Sequence, residues 1–397
     1  MVKLQYHCGL SETLLPMPEI INFPAHWENI SIDQGTAHLY YAFDVGFSIN
    51  LDVANQRIMS PSHHRGFKLK KRPNKYFKLT SPPLNISQSC PELEVTAFHK
   101  SFATSEATIF EFGAISICIK VPFSGKLESI VKLSQTLYDN PELIGLARNL
   151  LQNILGEISP AINKMKVNEH VEDYYVFQFE ELTPSISVKT LLSDYPDALS
   201  CLLRADTVLL SQEEINDIIF HRVSYGQNDL TLVDWDTAIV YGKEMEDVGT
   251  VLEYTNVALT EFFYLESEIN KALKEFYDYF SKSRWGSWLP TQTRHSKLKK
   301  ISQFQLDSEI MFESVTNALK LFEDVFLARL YKLSYERLKL NTWENSITRK
   351  LQTIESIYQK FSDAESTRRL EILEWIIIIL ITVSILIPFI PGVGGKH

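Results

Sequence analysis

Cysteine is scarce in this sequence, and the four that occur are widely separated. Cys8, Cys90, Cys118 and Cys201 are spread over 397 residues. They form no C-x-x-C pair, and no nearby histidine has the spacing that closes a tetrahedral zinc site. Free thiols in a reducing compartment are therefore expected.

Common catalytic motifs are missing as well. The chain has no G-x-x-x-x-G-K-[ST], H-E-x-x-H, G-x-S-x-G or G-x-G-x-x-G, the signatures of frequent phosphate, zinc-protease, hydrolase and dinucleotide sites. Met1 to Pro16 also lacks an apolar run long enough for a signal peptide. These absences lower the expectation of an enzyme, predict no cofactor, and indicate neither secretion nor organellar import.

Positive charge is in deficit overall. The net charge is -10 and the pI is near 5.6, which argues against a surface that binds polyanions throughout. Hydrophobic residues at 45% and aromatic residues at 12% are sufficient for a folded core.

Alternating and helical patterns predict an α+β fold built from two related β-α-β-β-α-like units with mixed or antiparallel sheet. The segments ATIFEFGAISIC (107–118) and LTLVDWDTAIVY (230–241) resemble each other, and each precedes a helical pattern; chance similarity between strands is the alternative. The predicted divisions are an N-terminal α+β unit at 1–165, a second unit at 166–283, a helical hairpin or coiled-coil stalk at 284–370, and a transmembrane tail at 371–391.

The most apolar segment is near the C-terminus. Ile372 to Ile390 holds 19 residues, enough to span a bilayer as a helix, with the anchor residues Trp375, Ile376, Ile379, Leu380, Val383 and Leu386. More basic residues precede this segment than follow it, which predicts a single-pass tail anchor with the body facing the cytoplasm. The alternative is a buried core helix.

An a/d heptad pattern precedes the tail. Leu351, Ile354, Tyr358 and Phe361 share this register. The pattern favours either an intramolecular hairpin packed on residues 310–335 or a dimerising stalk. A homo-oligomer or a protein partner bound through the C-terminal helices is therefore expected.

The C-terminal segments WENSITRKLQTIESIYQKFSDAESTRRLEIL and LEWIIIILITVSILI resemble the domain-of-unknown-function 155 family, the required-for-meiotic-nuclear-division proteins. Ser224, Tyr225 and Gly226 could correspond to a motif of that family. The resemblance implies a membrane-anchored protein, of a family linked to organelle membranes and to mitochondrial translation, without catalytic residues to carry over. Lacking a transit peptide, the chain looks more like a bacterial inner-membrane relative than a mitochondrial one.

Two basic segments interrupt the acidic chain. They predict contact with a lipid bilayer or another polyanion, and RNA is the other possible ligand. The alternative is that each segment is a solvated loop that binds nothing. Their candidate contact residues are Arg65, Lys68, Lys70, Lys71, Arg72, Lys75, Trp285, Trp288, Lys297, Lys299 and Lys300.

Asp234 and Asp236 flank Trp235 in a predicted strand, where alternation puts both carboxylates on one face. Such a pair is a weak metal-binding candidate, because no histidine or phosphate loop accompanies it. The sequence favours a membrane-tethered, non-catalytic scaffold or adaptor. A metal-dependent enzyme using Asp234 and Asp236, or an RNA-binding protein using the basic segments, is the alternative.

Overall fold

A computed structural model describes residues 23–59, 68–69, 82–242, 246–283, 291–318 and 324–386. Two 3-10 turns, Ala25–Asn29 and Ser159–Ala161, accompany the regular elements. The strands and helices are, in chain order, β1 (Ser31–Asp44), β2 (Ser48–Ile49), α1 (Leu51–Ile58), β3 (Lys68–Leu69), β4 (Leu84–Ser89), β5 (Glu94–Thr96), β6 (His99–Lys100), β7 (Thr104–Ile109), β8 (Ala114–Lys126), α2 (Leu127–Leu137), α3 (Pro141–Ile158), β9 (Ile162–Asn163), β10 (Glu172–Thr183), α4 (Val188–Asp194), α5 (Pro196–Arg204), α6 (Gln212–Phe220), β11 (Arg222–Val223), β12 (Leu230–Val233), β13 (Thr237–Tyr241), α7 (Glu246–Ser283), α8 (Thr291–Ala318), α9 (Val325–Arg337) and α10 (Leu340–Leu386).

One nine-stranded sheet organises the fold, in the order β11-β12-β13-β10-β1-β8-β7-β4-β3. Its pairings are antiparallel except for β10 with β13, which is parallel. The α+β class therefore holds, but the prediction of two separate β-α-β-β-α-like units is wrong. Strands from both predicted units join edge to edge, because β1 pairs with β8 on one side and with β10 on the other.

The central strand β1 is apolar on both faces. Leu39, Tyr41 and Phe43 contribute to one hydrophobic cluster, whereas Tyr40 and Ala42 contribute to the other. Alternate side chains of a strand point to opposite faces, so a strand covered on both sides is hydrophobic at every position. Helices α1 to α6 supply the first cluster and α7 to α10 supply the second.

Residues 127–158 form two helices, α2 and α3, rather than one continuous helix. Asp139 takes a φ of +50°, which interrupts the helical backbone between α2 and α3. Asn140 then caps α3, since its side chain accepts hydrogen bonds from the backbone amides of Glu142 and Leu143. Pro141 follows in the first turn of α3, where the missing amide costs nothing.

The C-terminal transmembrane helix is a wrong prediction. In the part of the chain that the structure describes, no helix combines the length and apolar character needed to cross a bilayer. The apolar residues continue α10, which starts at Leu340 and carries Glu371 and Glu374 just before the isoleucine run. Residues 387–391 of the predicted tail lie outside the described part. A single-pass membrane location is therefore not supported.

Replacing Gly113 by alanine is expected to lower the free energy of unfolding by about 3 kcal/mol or more. Gly113 lies in the turn between β7 and β8 with a φ of +101°, and an added Cβ would sit 1.8 Å from the carbonyl oxygen of Gly46. Urea unfolding measures the change.

Gly145→Ala is the matched control for that substitution. Gly145 lies within α3 with no atom within 4 Å of an added Cβ, so alanine should stabilise the protein by about 0.5 to 1 kcal/mol. A loss at Gly113 no larger than the change at Gly145 would contradict the close approach of the two turns.

Candidate functional site

The predicted D-x-D pair lies in the turn between β12 and β13, not within one strand. β12 ends at Val233 and β13 begins at Thr237, so Asp234, Trp235 and Asp236 form the connection of a β-hairpin. The two carboxylates consequently contact different partners and do not converge on one point.

Asp234 is fully buried and lies between two arginines. Its Oδ1 accepts hydrogen bonds from Nε of Arg337 at 2.9 Å and from Nη2 of Arg337 at 2.7 Å. Nε of Arg204 is 2.9 Å from Oδ2, an ion pair in which the N–H is not aligned for a hydrogen bond. Because two guanidinium groups surround this carboxylate, it is not available as a metal ligand.

The two arginines end helices that cover opposite faces of the sheet. Arg204 is the last residue of α5 and Arg337 is the last residue of α9, where a cation also interacts favourably with the helix dipole. Arg337 further pairs with Asp217 of α6 at 2.9 Å, and Arg204 pairs with Glu214 at 2.5 Å. The Asp234 carboxylate therefore links the two helical layers around the end of the sheet.

Trp235 and Asp236 extend these links. Nζ of Lys339 lies 4.3 Å from the centre of the Trp235 ring, a cation-π contact. Asp236 accepts a hydrogen bond from the hydroxyl of Tyr138 at 3.0 Å. The hydroxyl of the buried Tyr174 lies 3.2 Å from the carbonyl oxygens of Asp234 and Thr237, and burial raises the pKa of Tyr174 well above its ordinary value. Tyr174 therefore stays a neutral donor.

A metal centre is not assembled at this turn. Across the described ranges, no group of three or more histidine, cysteine, aspartate or glutamate side chains is placed to hold a metal ion. The turn can fix the positions of α2, α5, α6 and α9 relative to the sheet, which is a structural role.

Most of the predicted basic contact residues lie outside the described residues, namely Arg65, Lys70, Lys71, Arg72, Lys75, Trp285 and Trp288. Lys68 lies in β3, and Lys297, Lys299 and Lys300 lie in α8, where Lys299 and Lys300 are exposed. RNA binding through these segments stays a prediction.

The predicted anchor residues lie in a continuous stretch of exposed apolar side chains. Six successive side chains, 376–381, are between 47% and 60% exposed, and Trp375 is 65% exposed. Val383 is also exposed, whereas the side chain of Leu386 lies outside the described part. We call residues 370–383 the apolar end of α10.

Sequence reasoning missed four charged residues that the fold buries or brings together. Arg204 and Arg337 carry no signal, since arginines at helix ends are common. Asp44 and Glu261 do carry one, because each is a charge within an apolar run, YYAFDV and VALTEFFYL. Both carboxyls are buried between β1 and α7.

The comparison with known proteins identifies the family. The family model described as "Uncharacterized protein MJ0711, N-terminal domain" matches residues 34–247, and the chain belongs to this family. The match covers α1 to α6 and nearly the whole sheet, and ends at the start of α7. The resemblance to the domain-of-unknown-function 155 family is therefore wrong; it rested on the C-terminal helices, which lie beyond the matched residues.

A relative from Methanocaldococcus jannaschii, "Uncharacterized protein MJ0711", is 26% identical over 246 residues. The alignment covers 61% of this chain and 72% of the relative. No solved structure matches the chain.

Substituting Arg337 by methionine is expected to destabilise the protein by about 3 kcal/mol, because it removes two hydrogen bonds from a fully buried carboxylate and leaves Arg204 as its counter-ion. Chemical denaturation of wild type and variant measures the difference.

Lys126→Met is the matched control. Lys126 pairs with Glu28 at 2.8 Å, with both side chains more than half exposed, so its loss should cost at most about 1 kcal/mol. Equal effects of the two substitutions would argue against a structural role for the Asp234 turn.

Proposed function

We propose that this protein is a non-catalytic scaffold that assembles copies of itself through the apolar end of α10. The observation that carries this proposal is the exposure of consecutive apolar side chains around the whole circumference of that helix end. The polar residues of the best catalytic candidate, Asp234 and Asp236, are engaged in contacts within the fold, which supports a scaffold over a metal-dependent enzyme.

The two parts of α10 have different surroundings. Leu340, Ile347 and Ile354 are buried against the other helices of the layer, and α10 packs on α7, α8 and α9. From Leu370 to Val383 the large apolar side chains are exposed. The helix is thus held by the body at its start and presents its end for contact with another molecule.

Water is an unfavourable environment for this helix end. Burying one Leu or Ile side chain contributes about 1.5 to 3 kcal/mol, and contiguous exposed apolar patches mark interaction sites. Successive residues of a helix are about 100° apart, so side chains 376–381 face every direction. A two-helix contact would leave the outer sides exposed, which favours a bundle of more than two copies.

Self-assembly would present several α+β bodies around one helical bundle. Such an arrangement multiplies any weak contact made by each body, because linked binding events occur at a high effective concentration. Through this increase in effective concentration, the assembly would act as a scaffold for partners of the α+β bodies.

Ile376→Glu combined with Leu380→Glu is expected to weaken self-association at least about tenfold, which corresponds to about 1.4 kcal/mol. Both residues are one helical turn apart on the same side of α10, where buried charges would be unpaired. Sedimentation of the full chain in buffer without detergent measures the effect.

Val208→Glu combined with Leu209→Glu is the control, since these side chains are 68% and 53% exposed on the body. The control pair should leave association unchanged. A wild-type chain that is monomeric at every concentration would refute the proposal, as would a chain that needs lipid vesicles rather than further copies to stay in solution.

A further inference from the structure

Two buried carboxyls lie at the contact between the sheet and α7. Asp44 is the last residue of β1 and is 0% exposed, and Glu261 lies near the middle of α7 and is 1% exposed. Both carboxylate oxygens of Glu261 are buried without a hydrogen-bond partner among the described residues, whereas the buried carboxylate of Asp44 has the backbone of Gly46 beside it. In this respect the pair differs from Asp234, which two arginines neutralise.

The polar surroundings of the pair are sparse. Ser116 of β8 lies diagonally beside Asp44 on the same sheet face, and its hydroxyl is buried without a partner. On α7, Tyr264 and Glu268 lie close to Asp44. Nζ of Lys166 is 3.2 Å from Oε1 of Glu268, and the Lys166 side chain is more than half exposed.

Lys166 is therefore only a partial counter-charge for Asp44. Its ammonium is bound to Glu268, which also pairs with Lys271 at 2.8 Å. Burial is the strongest influence and raises the pKa of Asp44 to about 7, against smaller lowering effects of the Gly46 backbone and Lys166. Burial likewise raises the pKa of Glu261, and the nearby Asp44 raises it further.

We propose that Asp44 and Glu261 form a proton-operated latch, which seats α7 on the sheet while the pair is protonated and loosens that seat when the pair becomes charged. An unpaired charge buried at this contact is costly, whereas a neutral carboxyl is tolerated. The least costly response to deprotonation is for α7 to move away and admit water.

The direction of the pH dependence follows from the shifted pKa values. The folded chain binds more protons than the unfolded chain between about pH 4 and 7, so stability falls as pH rises through this window. The contribution of Asp44 is fully present below its ordinary pKa of 3.8 and is lost as pH passes about 7. The raised pKa of Glu261 acts in the same direction.

A loosened α7 would affect the whole second layer of helices. Helices α8, α9 and α10 all pack on α7. The latch therefore connects a protonation event near neutral pH to the seating of α10, whether or not the apolar end of α10 self-associates.

The test is urea unfolding of the full chain at about pH 5 and about pH 9, with wild type, Asp44→Asn, Glu261→Gln and the double variant. We expect the wild-type midpoint to fall with rising pH. The double variant should show little of this fall and should unfold at a higher urea concentration than wild type at about pH 9. In either single variant, the urea midpoint should fall with rising pH by an intermediate amount. If the double variant does not fold, the single variants provide the test.

Hydrogen exchange supplies a second measurement. After correction for the intrinsic pH dependence, protection of α7 amides should drop at least about tenfold more in wild type than in the double variant. Glu157→Gln is the matched control, because Glu157 of α3 is a buried carboxyl on the other side of the sheet, and this variant should keep the wild-type fall.

Several results would overturn the proposal. One is a wild-type midpoint that is constant or rises between the two pH values. Another is a double variant that retains the full fall. Stabilisation of wild type but not of the double variant by sodium or calcium at about pH 9 would show a cation site instead of a proton latch.

Discussion

The contact between Asp234 and two arginines joins the three layers of this structure. The carboxylate projects from a hairpin turn at the end of the sheet, where Arg337 of α9 approaches it and Arg204 of α5 lies beside it. Burial makes this contact decisive, since a fully buried carboxylate without counter-charges would cost several kcal/mol. The positions of both helix ends therefore depend on one turn.

A second set of buried carboxyls, Asp44 and Glu261, lacks the counter-charges that surround Asp234. Asp44 and Glu261 have no arginine beside them within the described ranges, and the only charge-stabilising groups near Asp44 are the Gly46 backbone and the partly engaged Lys166. A paired acid gives a contact that is stable over a wide pH range, whereas an unpaired acid gives one that depends on its proton. The contact at Asp234 is therefore expected to be insensitive to pH, whereas the contact between the sheet and α7 is expected to depend on the protonation of Asp44 and Glu261.

Sequence patterns located many elements but not their assembly. The strand-like segments 107–118 and 230–241 contain parts of β7 and β8 and the whole of β12 and β13, because an alternating pattern is local. The sequence LTLVDWDTAIVY predicts one strand, because an apolar run does not reveal the three-residue turn at 234–236 that the structure shows. Likewise, the length and apolar character of the isoleucine run predict a membrane span, whereas in the structure this run continues the long helix α10.

The sequence by itself determined the α+β class, the scarcity of catalytic motifs and the unusual apolar run. Each of these features can be recognised from composition or from the periodicity of a short stretch of residues. Only the tertiary structure decided that both halves share one sheet, that Arg204 and Arg337 meet at Asp234, and that Asp44 lies near Glu261. These pairs are separated by 30, 103 and 217 positions in the chain, and their approach depends on how helices pack on the sheet rather than on any local pattern.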